Sequence, residues 1–586
     1  MSSQDGASIA ASTFDTLPES PLGGMSTQDI IDDVDYLLLT HDLRDHRCLF
    51  IKGALVAARQ DPADGQIRDD GDNNIRLSDV ERRVIALEYE HPVRSLAASQ
   101  WLQTGLCALC AVVQGMHLTV TNGAQDFYFA YFDMQDPLLR GFVNSAPFIS
   151  AALLGCWLNQ PLNHVFGRRG TIFVSCIVSL ATSFWQAAAD TWVNLAVARV
   201  VLGLAVGASS ATTPVYAAEC APPSVRGRLT MLWQMFTAFG IMVGYAASMA
   251  FQDVKTWGEN TQWRWMMGVT AIPALIVCFV VFLVPESPRY CLDKGDFVGA
   301  LHSLVQLRCH HVLAFRDLYL AHKHIDGAKH SQGSGRWSTL RELFKPRNLR
   351  AAQASWFLMF MQQFCGVNVI AYYSTHIFMG AGFTRSESLA VSLGCGVANF
   401  VGAIPALYTI DRFGRRSLLL STFPVLAISL FWTGASFYIV DQDARLASIC
   451  TGIYVFMLFY SPGMGPVPFT YSAEAFSLSV RPLGMASATA VTWAFNFIIN
   501  FTWPKMMLAM TPAGGFCFYA AWNVFAWFFA FFLLPETKGY SLEQLDHIFS
   551  KSNRQHAREQ WGGMKRFGAK DHRSRRGPFI QREAIR

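Results

Sequence analysis

The chain has 586 residues, of which 52% are hydrophobic and 15% charged. Soluble chains carry about 25% charged residues, so this composition, with its 45 Phe, excludes an ordinary soluble domain and points to a protein that crosses a membrane many times. The charge is polarised: residues 1–100 hold 18 Asp/Glu against 9 Lys/Arg, and residues 551–586 hold 11 Lys/Arg against 3 Asp/Glu.

Residues 1–100 are expected to form an acidic, largely disordered cytoplasmic region without a cleavable leader. Within it, apolar patches between Asp29 and Val56 suit a short amphipathic helix. Ser78 and Glu81 form a capping-box pattern that predicts a helix over Asp79–Glu90. Twelve apolar spans follow, at 101–121, 143–161, 170–190, 194–217, 229–251, 265–284, 350–374, 388–410, 417–438, 448–470, 484–503 and 517–534. The long polar segment between the sixth and seventh divides them six and six. The predicted domains are therefore a six-helix half over 101–290, a cytoplasmic central loop over 291–349, a second six-helix half over 350–545 and a basic cytoplasmic tail over 546–586. Lys and Arg concentrate in the even-numbered loops, which places both termini and the central loop in the cytoplasm.

Three marks recur between the halves. Gly167-Arg168-Arg169 returns as Gly414-Arg415-Arg416, Glu219 with Arg226 returns as Glu474 with Arg481, and Pro285-Glu286-Ser287 returns as Pro535-Glu536-Thr537. The near-constant offset argues for a duplicated six-helix unit, hence an all-α membrane fold. Arg168, Arg199, Glu219 and Arg226, with Asp411, Arg415, Arg416, Glu474 and Arg481, are read as a cytoplasmic charge gate whose pairs exchange as the halves move. The 13 Cys are scattered singly through apolar runs and read as small buried hydrophobes. No cofactor, metal site or nucleic-acid partner is expected, and no nucleophile–base constellation or phosphate loop supports an enzyme.

Span seven carries an unusual row, MQQFCGVNVIAYYS (Met361–Ser374). Amides inside a membrane helix are costly unless they face a polar cavity or a partner helix. Gln and Asn offer a donor and an acceptor without charge, which suits a neutral polyol.

PVYAAECAPPSVRGRL (Pro214–Leu229), PESPRY (Pro285–Tyr290), QQFCGVNVIAYYS (Gln362–Ser374), DRFGRR (Asp411–Arg416), GPVPFTYSAEAF (Gly465–Phe476) and PETKG (Pro535–Gly539) resemble the sugar porter family of the major facilitator superfamily. QGMHLTVTNGAQ (Gln114–Gln125) and the long tails resemble a fungal branch of it. The resemblance implies alternating-access transport of a neutral sugar or polyol, hexose-like, by a protein that works as a monomer in the lipid bilayer, most simply the plasma membrane. It implies a substrate site between the halves built from Gln234, Gln362, Gln363, Asn368, Asn399, Phe469, Trp493 and Asn496, with Tyr372 and Tyr373 as the external gate. Proton-coupled relatives place an Asp midway along span one, where this chain has His117. Facilitated diffusion and proton symport through His117 are both open on these grounds. An Asp expected shortly before Gly167 is also missing. A sensor that binds sugar and signals through its tails is the alternative reading.

Overall fold

The computed structural model describes residues 25–41, 43–58, 77–331, 336–477, 480–538, 545, 548–558 and 560–561. Ten helices among these are long and apolar enough to cross a membrane. Two of the ten are double: Pro137–Ala187 turns at Gly167 (φ 75°) and Arg481–Leu533 turns at Thr511 (φ 61°). Each turn separates two spans, so the chain crosses twelve times, as the apolar runs predict.

The first half comprises span 1 (Ala98–Tyr131), spans 2 and 3 within Pro137–Ala187, span 4 (Trp192–Cys220), span 5 (Arg226–Ala250) and span 6 (Gln262–Leu283). The second half comprises span 7 (Pro346–Ala381), span 8 (Arg385–Ile410), span 9 (Arg415–Ser436), span 10 (Gln442–Tyr460, continued by Val467–Ala475) and spans 11 and 12 within Arg481–Leu533. Span 1 is ten residues longer at its C-terminal end than its apolar run suggests. Small residues allow close crossings: a Cβ on Gly155 of span 2 would stand 3.0 Å from Cα of Gly207 on span 4. The halves meet where span 2 packs on span 11 and span 5 on span 8, with span 7 against span 1.

The central segment folds into helices Pro288–Asp293, Phe297–Leu307, His311–Ser331 and Arg336–Leu343 at one face of the bundle, called here the near face. The sequence reading expected residues 1–100 to be largely disordered. Among those described, Thr27–His41, Arg47–Ala58 and Asp79–Glu90 are helical, the last with the predicted Ser78–Glu81 capping box. Residues 1–24 and 59–76 lie outside the described residues. The first two helices bury Val34, Leu37, Phe50 and Ile51 against Phe297, Phe315, Leu318 and Tyr319 of the central segment. That partner surface lies more than two hundred residues away, so local composition could not reveal it.

Buried charges join the two parts. Arg316 donates to both Glu88 oxygens at 2.7 and 3.0 Å and to Asp317, and Arg308 donates to Asp317 at 2.7 Å. Arg308 also donates to Gln100 Oε1 at the base of span 1 and to the Cys220 carbonyl at the end of span 4. Burial alone would raise the Asp317 carboxyl, but Arg316 and Arg308 hold it below its ordinary value. A lowered folded value means this stabilisation is present above the ordinary carboxylate range and fades as pH falls through the folded value.

Arg316→Met strands the buried Glu88 carboxylate and leaves Asp317 with Arg308 alone. It is expected to destabilise the near-face helices by about 3–5 kcal/mol, read as faster proteolysis within 290–331. The same variant loses part of the acid-dependent protection seen in wild type, the remainder being kept by Arg308 on Asp317.

Candidate substrate site and gates

Span 7 is broken inside the bundle. Pro346–Phe364 stops, Gly366 takes φ 102°, and Val367–Ala381 resumes. A left-handed residue here must be glycine: a Cβ would stand 3.1 Å from Leu430 and 3.3 Å from Tyr519. The break frees carbonyls that lipid cannot satisfy, and Asn523 of span 12 donates to the Cys365 carbonyl at 2.9 Å. Span 10 is interrupted between Tyr460 and Val467, and Gln362 donates to the carbonyls of Met464 (3.3 Å) and Gly465 (3.0 Å) there. Gln363 donates to Gln362 Oε1 at 3.3 Å, and Asn368 donates to Gln363 Oε1. The three amides predicted on span 7 thus form one connected buried row around the break.

On span 11, Asn496 donates to the Tyr372 hydroxyl at 3.2 Å and accepts from Asn500 at 2.7 Å. Trp493 donates to Ser210 of span 4 at 3.2 Å across the halves, and its ring stacks on Phe148 of span 2, centroids 5.7 Å apart. Phe469 packs edge-on against Trp233 of span 5. Gln234, beside Trp233, is partly exposed and is not bonded to the span-7 amides. Asn399 accepts from Ser461 through both its carbonyl (2.7 Å) and its side-chain oxygen (2.5 Å), a span 8 to span 10 link.

At the far face, Asn122 donates to Ser374 (2.6 Å), Gln125 to the Tyr372 carbonyl (3.0 Å) and Asn144 to the Tyr373 hydroxyl (3.3 Å). Tyr245 donates to the Ala371 carbonyl at 2.8 Å. Four contacts from spans 1, 2 and 5 converge on one turn of span 7, so this face is sealed across the halves. Asn122, Gln125 and Asn144 were not singled out from sequence. Asn122 and Gln125, two amides three residues apart in span 1, were the available signal.

At the near face the duplication becomes geometry. Arg168 donates to both Glu219 oxygens at 3.1 Å, Ser287 donates to Glu219 at 2.5 Å, and Glu286 accepts from the backbone N–H groups of Arg168 and Arg169. In the second half Arg415 donates to Glu474 at 2.7 Å, Thr537 donates to Glu474 at 2.6 Å, and Glu536 accepts from the N–H groups of Arg415 and Arg416. Each Glu286-type carboxylate caps the helix that starts after a positive-φ glycine, Gly167 or Gly414. Both charge pairs lie within a half. Arg226 and Arg481 line this face with their Nε atoms buried and unpartnered, rather than pairing with Glu219 and Glu474. The Asp411 side chain lies outside the described residues.

Arg199 does not belong to this gate. Span 4 runs from the far face to the near face, so Arg199 and Glu219 stand about 30 Å apart along it. Arg199 is buried near the far face, donating to Thr121 Oγ1 at 3.1 Å and to the Asn144 carbonyl at 2.9 Å. His117 lines the same small cavity.

The family described as "Sugar (and other) transporter" matches residues 107–549. The galactose-proton symporter of Escherichia coli strain K12 is 31% identical over 465 residues, covering 79% of this chain and 97% of its own. Myo-inositol transporter 1 of Cryptococcus neoformans is 31% identical over 420 residues, covering 68% and 72%. Among solved structures, a proton:xylose symporter bound to 6-bromo-6-deoxy-D-glucose superposes with a TM-score of 0.65 at 23% identity, over 77% of this chain and 99% of that one. The chain belongs to the sugar porter family of the major facilitator superfamily, a family of multi-pass membrane transporters and not of enzymes.

Gly366→Ala is expected to lower stability by about 1–2 kcal/mol from the left-handed backbone alone, whereas Gly380→Ala, with open space at its Cβ, is neutral or slightly stabilising. Thermal unfolding of the two purified variants against wild type checks the contrast.

Proposed function

From membership of this family, we propose that the protein carries a neutral, hexose-like sugar or polyol across the membrane by alternating access. The observation that carries the reading is the connected row of Gln362, Gln363 and Asn368 at the span-7 break. Such a row holds only neutral donors and acceptors, and its members can exchange one another for substrate hydroxyls. Trp493 and Phe469 supply flat apolar faces for ring C–H groups. Asn496 completes the second-half side, and Gln234 approaches from span 5. Asn399, already bonded to Ser461, contributes by holding span 8 to span 10. The receptor alternative is set aside, because the relatives named above are transporters.

The near face is assigned to the cytoplasm from its Lys and Arg content, so both termini and the central helices are cytoplasmic. The far-face seal then makes this conformation one closed to the exterior, with Tyr372 and Tyr373 as the shut gate. The two charge corners brace each half, leaving Arg226 and Arg481 to find carboxylate partners when the near face closes. The plasma membrane is the proposed location, and a monomer in lipid the working unit.

For the energy source we infer facilitated diffusion. His117 shares its cavity with Arg199, and a proton carried by His117 would set a second positive charge beside a buried guanidinium.

Reconstituted protein should take up labelled hexose or polyol at initial rates that stay within about twofold when an inward proton gradient is collapsed. Loss of uptake on collapse, with the gradient dependence abolished in His117→Asn, would establish symport instead. Gln362→Ala and Asn496→Ala should each raise the half-saturating sugar concentration about 3- to 10-fold, the cost of one neutral hydrogen bond. Binding of sugar with no flux in any variant would overturn the transport reading.

A further inference from the structure

The buried cation at Arg199 has no carboxylate within ion-pair distance among the described residues. Its acceptors are the Thr121 hydroxyl, the Asn144 carbonyl and, at 3.9 Å, the Met267 sulfur, all neutral. Its Nε is buried without a partner. A guanidinium with 2% exposure inside a membrane bundle, balanced by neutral groups alone, is a costly arrangement. Arg308 and Arg316 of the near face, each 8% exposed, have carboxylates by contrast: they share Asp317, and Arg316 also holds Glu88.

The side chains around Arg199 supply further donors. Arg199, His117, Thr121, Gln186 and Thr270, from spans 1, 3, 4 and 6, line one small cavity. Thr121 accepts from Arg199, so its own hydroxyl proton remains available. Gln186 uses one N–H on the Thr182 carbonyl and keeps the other. His117 Nε2 is a second buried nitrogen without a partner, and carries a donor in one tautomer. Thr270 donates to the Met267 carbonyl and so presents its oxygen, not its proton. The cavity is thus rich in donors, carries one fixed positive charge and holds no carboxylate. It is about the size of a single water, too small for a sugar or an organic acid, and it lies inside the first half rather than between the halves.

We propose that this cavity is a binding site for one small inorganic anion, of the size of chloride, held by Arg199, Thr121, Gln186 and His117. The anion neutralises the guanidinium in place. It also sits one residue from the far-face seal: Arg199 holds the Asn144 carbonyl, and the Asn144 side chain bonds Gln125 and, across the halves, Tyr373. Occupancy is therefore expected to stiffen the closed far face. The anion is a resident structural ligand, not cargo, and its binding does not depend on which sugar is carried.

The test is thermal unfolding of the purified full chain, without sugar, titrated with sodium chloride, bromide or gluconate at constant ionic strength. Gluconate is too large for the cavity. Chloride and bromide should raise the unfolding temperature saturably, on the order of 2 °C, gluconate should not, and Arg199→Gln and Thr121→Val should each abolish the response. Identical curves in chloride and gluconate for wild type would show that water fills the cavity and would overturn the proposal. So would a chloride response that survives unchanged in Thr121→Val, a substitution of similar shape that removes only the hydroxyl. Because no transport is measured, a failure here is separate from a failure of the sugar-transport reading.

Discussion

Inside a bilayer a peptide group that leaves the helical ladder has no water to turn to, and it must be satisfied by protein. Much of the architecture around the proposed site follows from that constraint. Gly366 breaks span 7, and the carbonyl next to the break is taken by Asn523. Span 10 breaks between Tyr460 and Val467, and its exposed carbonyls are taken by Gln362. The amides are therefore not ornaments on a helix surface. They hold two interrupted helices together, and the row they form is the polar surface a neutral polyol would meet. Satisfying backbone and recognising hydroxyls ask the same thing of a side chain: donor and acceptor capacity without charge.

The two faces of the bundle use different chemistry. The far face is closed between the halves mainly by neutral hydrogen bonds aimed at Ala371–Ser374, with His376 of span 7 standing 3.6 Å from Asp126 of span 1 beside them. The near face is braced by charge pairs within each half, Arg168–Glu219 and Arg415–Glu474, each buttressed by a hydroxyl and set beside a carboxylate-capped helix. Charge-assisted hydrogen bonds are strong and directional, which suits corners that stay rigid while the halves move. Neutral hydrogen bonds are modest, which suits a seal that must open. Behind the near face, the N-terminal and central helices share an apolar core and an ion-pair network tied to the ends of spans 1 and 4. Movement of the first half must carry that small domain with it.

The sequence was most readable where physics acts locally. Apolar runs gave twelve spans, and the repeated Gly-Arg-Arg, Glu and Pro-Glu marks turned out to be the parts of one corner built twice. The row at Met361–Ser374 was legible because amides in an apolar run demand a reason. Arg199 was misplaced because its charge was read with the other cations, whereas its position early in a span descending from the far face puts it at the opposite end. The pairing of Glu219 with Arg168 rather than Arg226 depends on the angle between spans 3 and 4, which spacing alone does not set. Asp79–Glu90 was legible from its capping box and a short amphipathic helix from the apolar patches between Asp29 and Val56, where two helices form; their docking on residues 290–325 was not, because that surface is remote in sequence.

The central claim is that the halves move against each other and that the far-face contacts are the outer gate. Asn122 and Ser374 face one another across the halves with side-chain atoms 2.6 Å apart. The double variant Asn122→Cys/Ser374→Cys, oxidised in proteoliposomes, should lose hexose or polyol uptake and regain it on reduction, while each single variant keeps uptake under both conditions. Undiminished uptake with the cross-link fully formed would contradict the account.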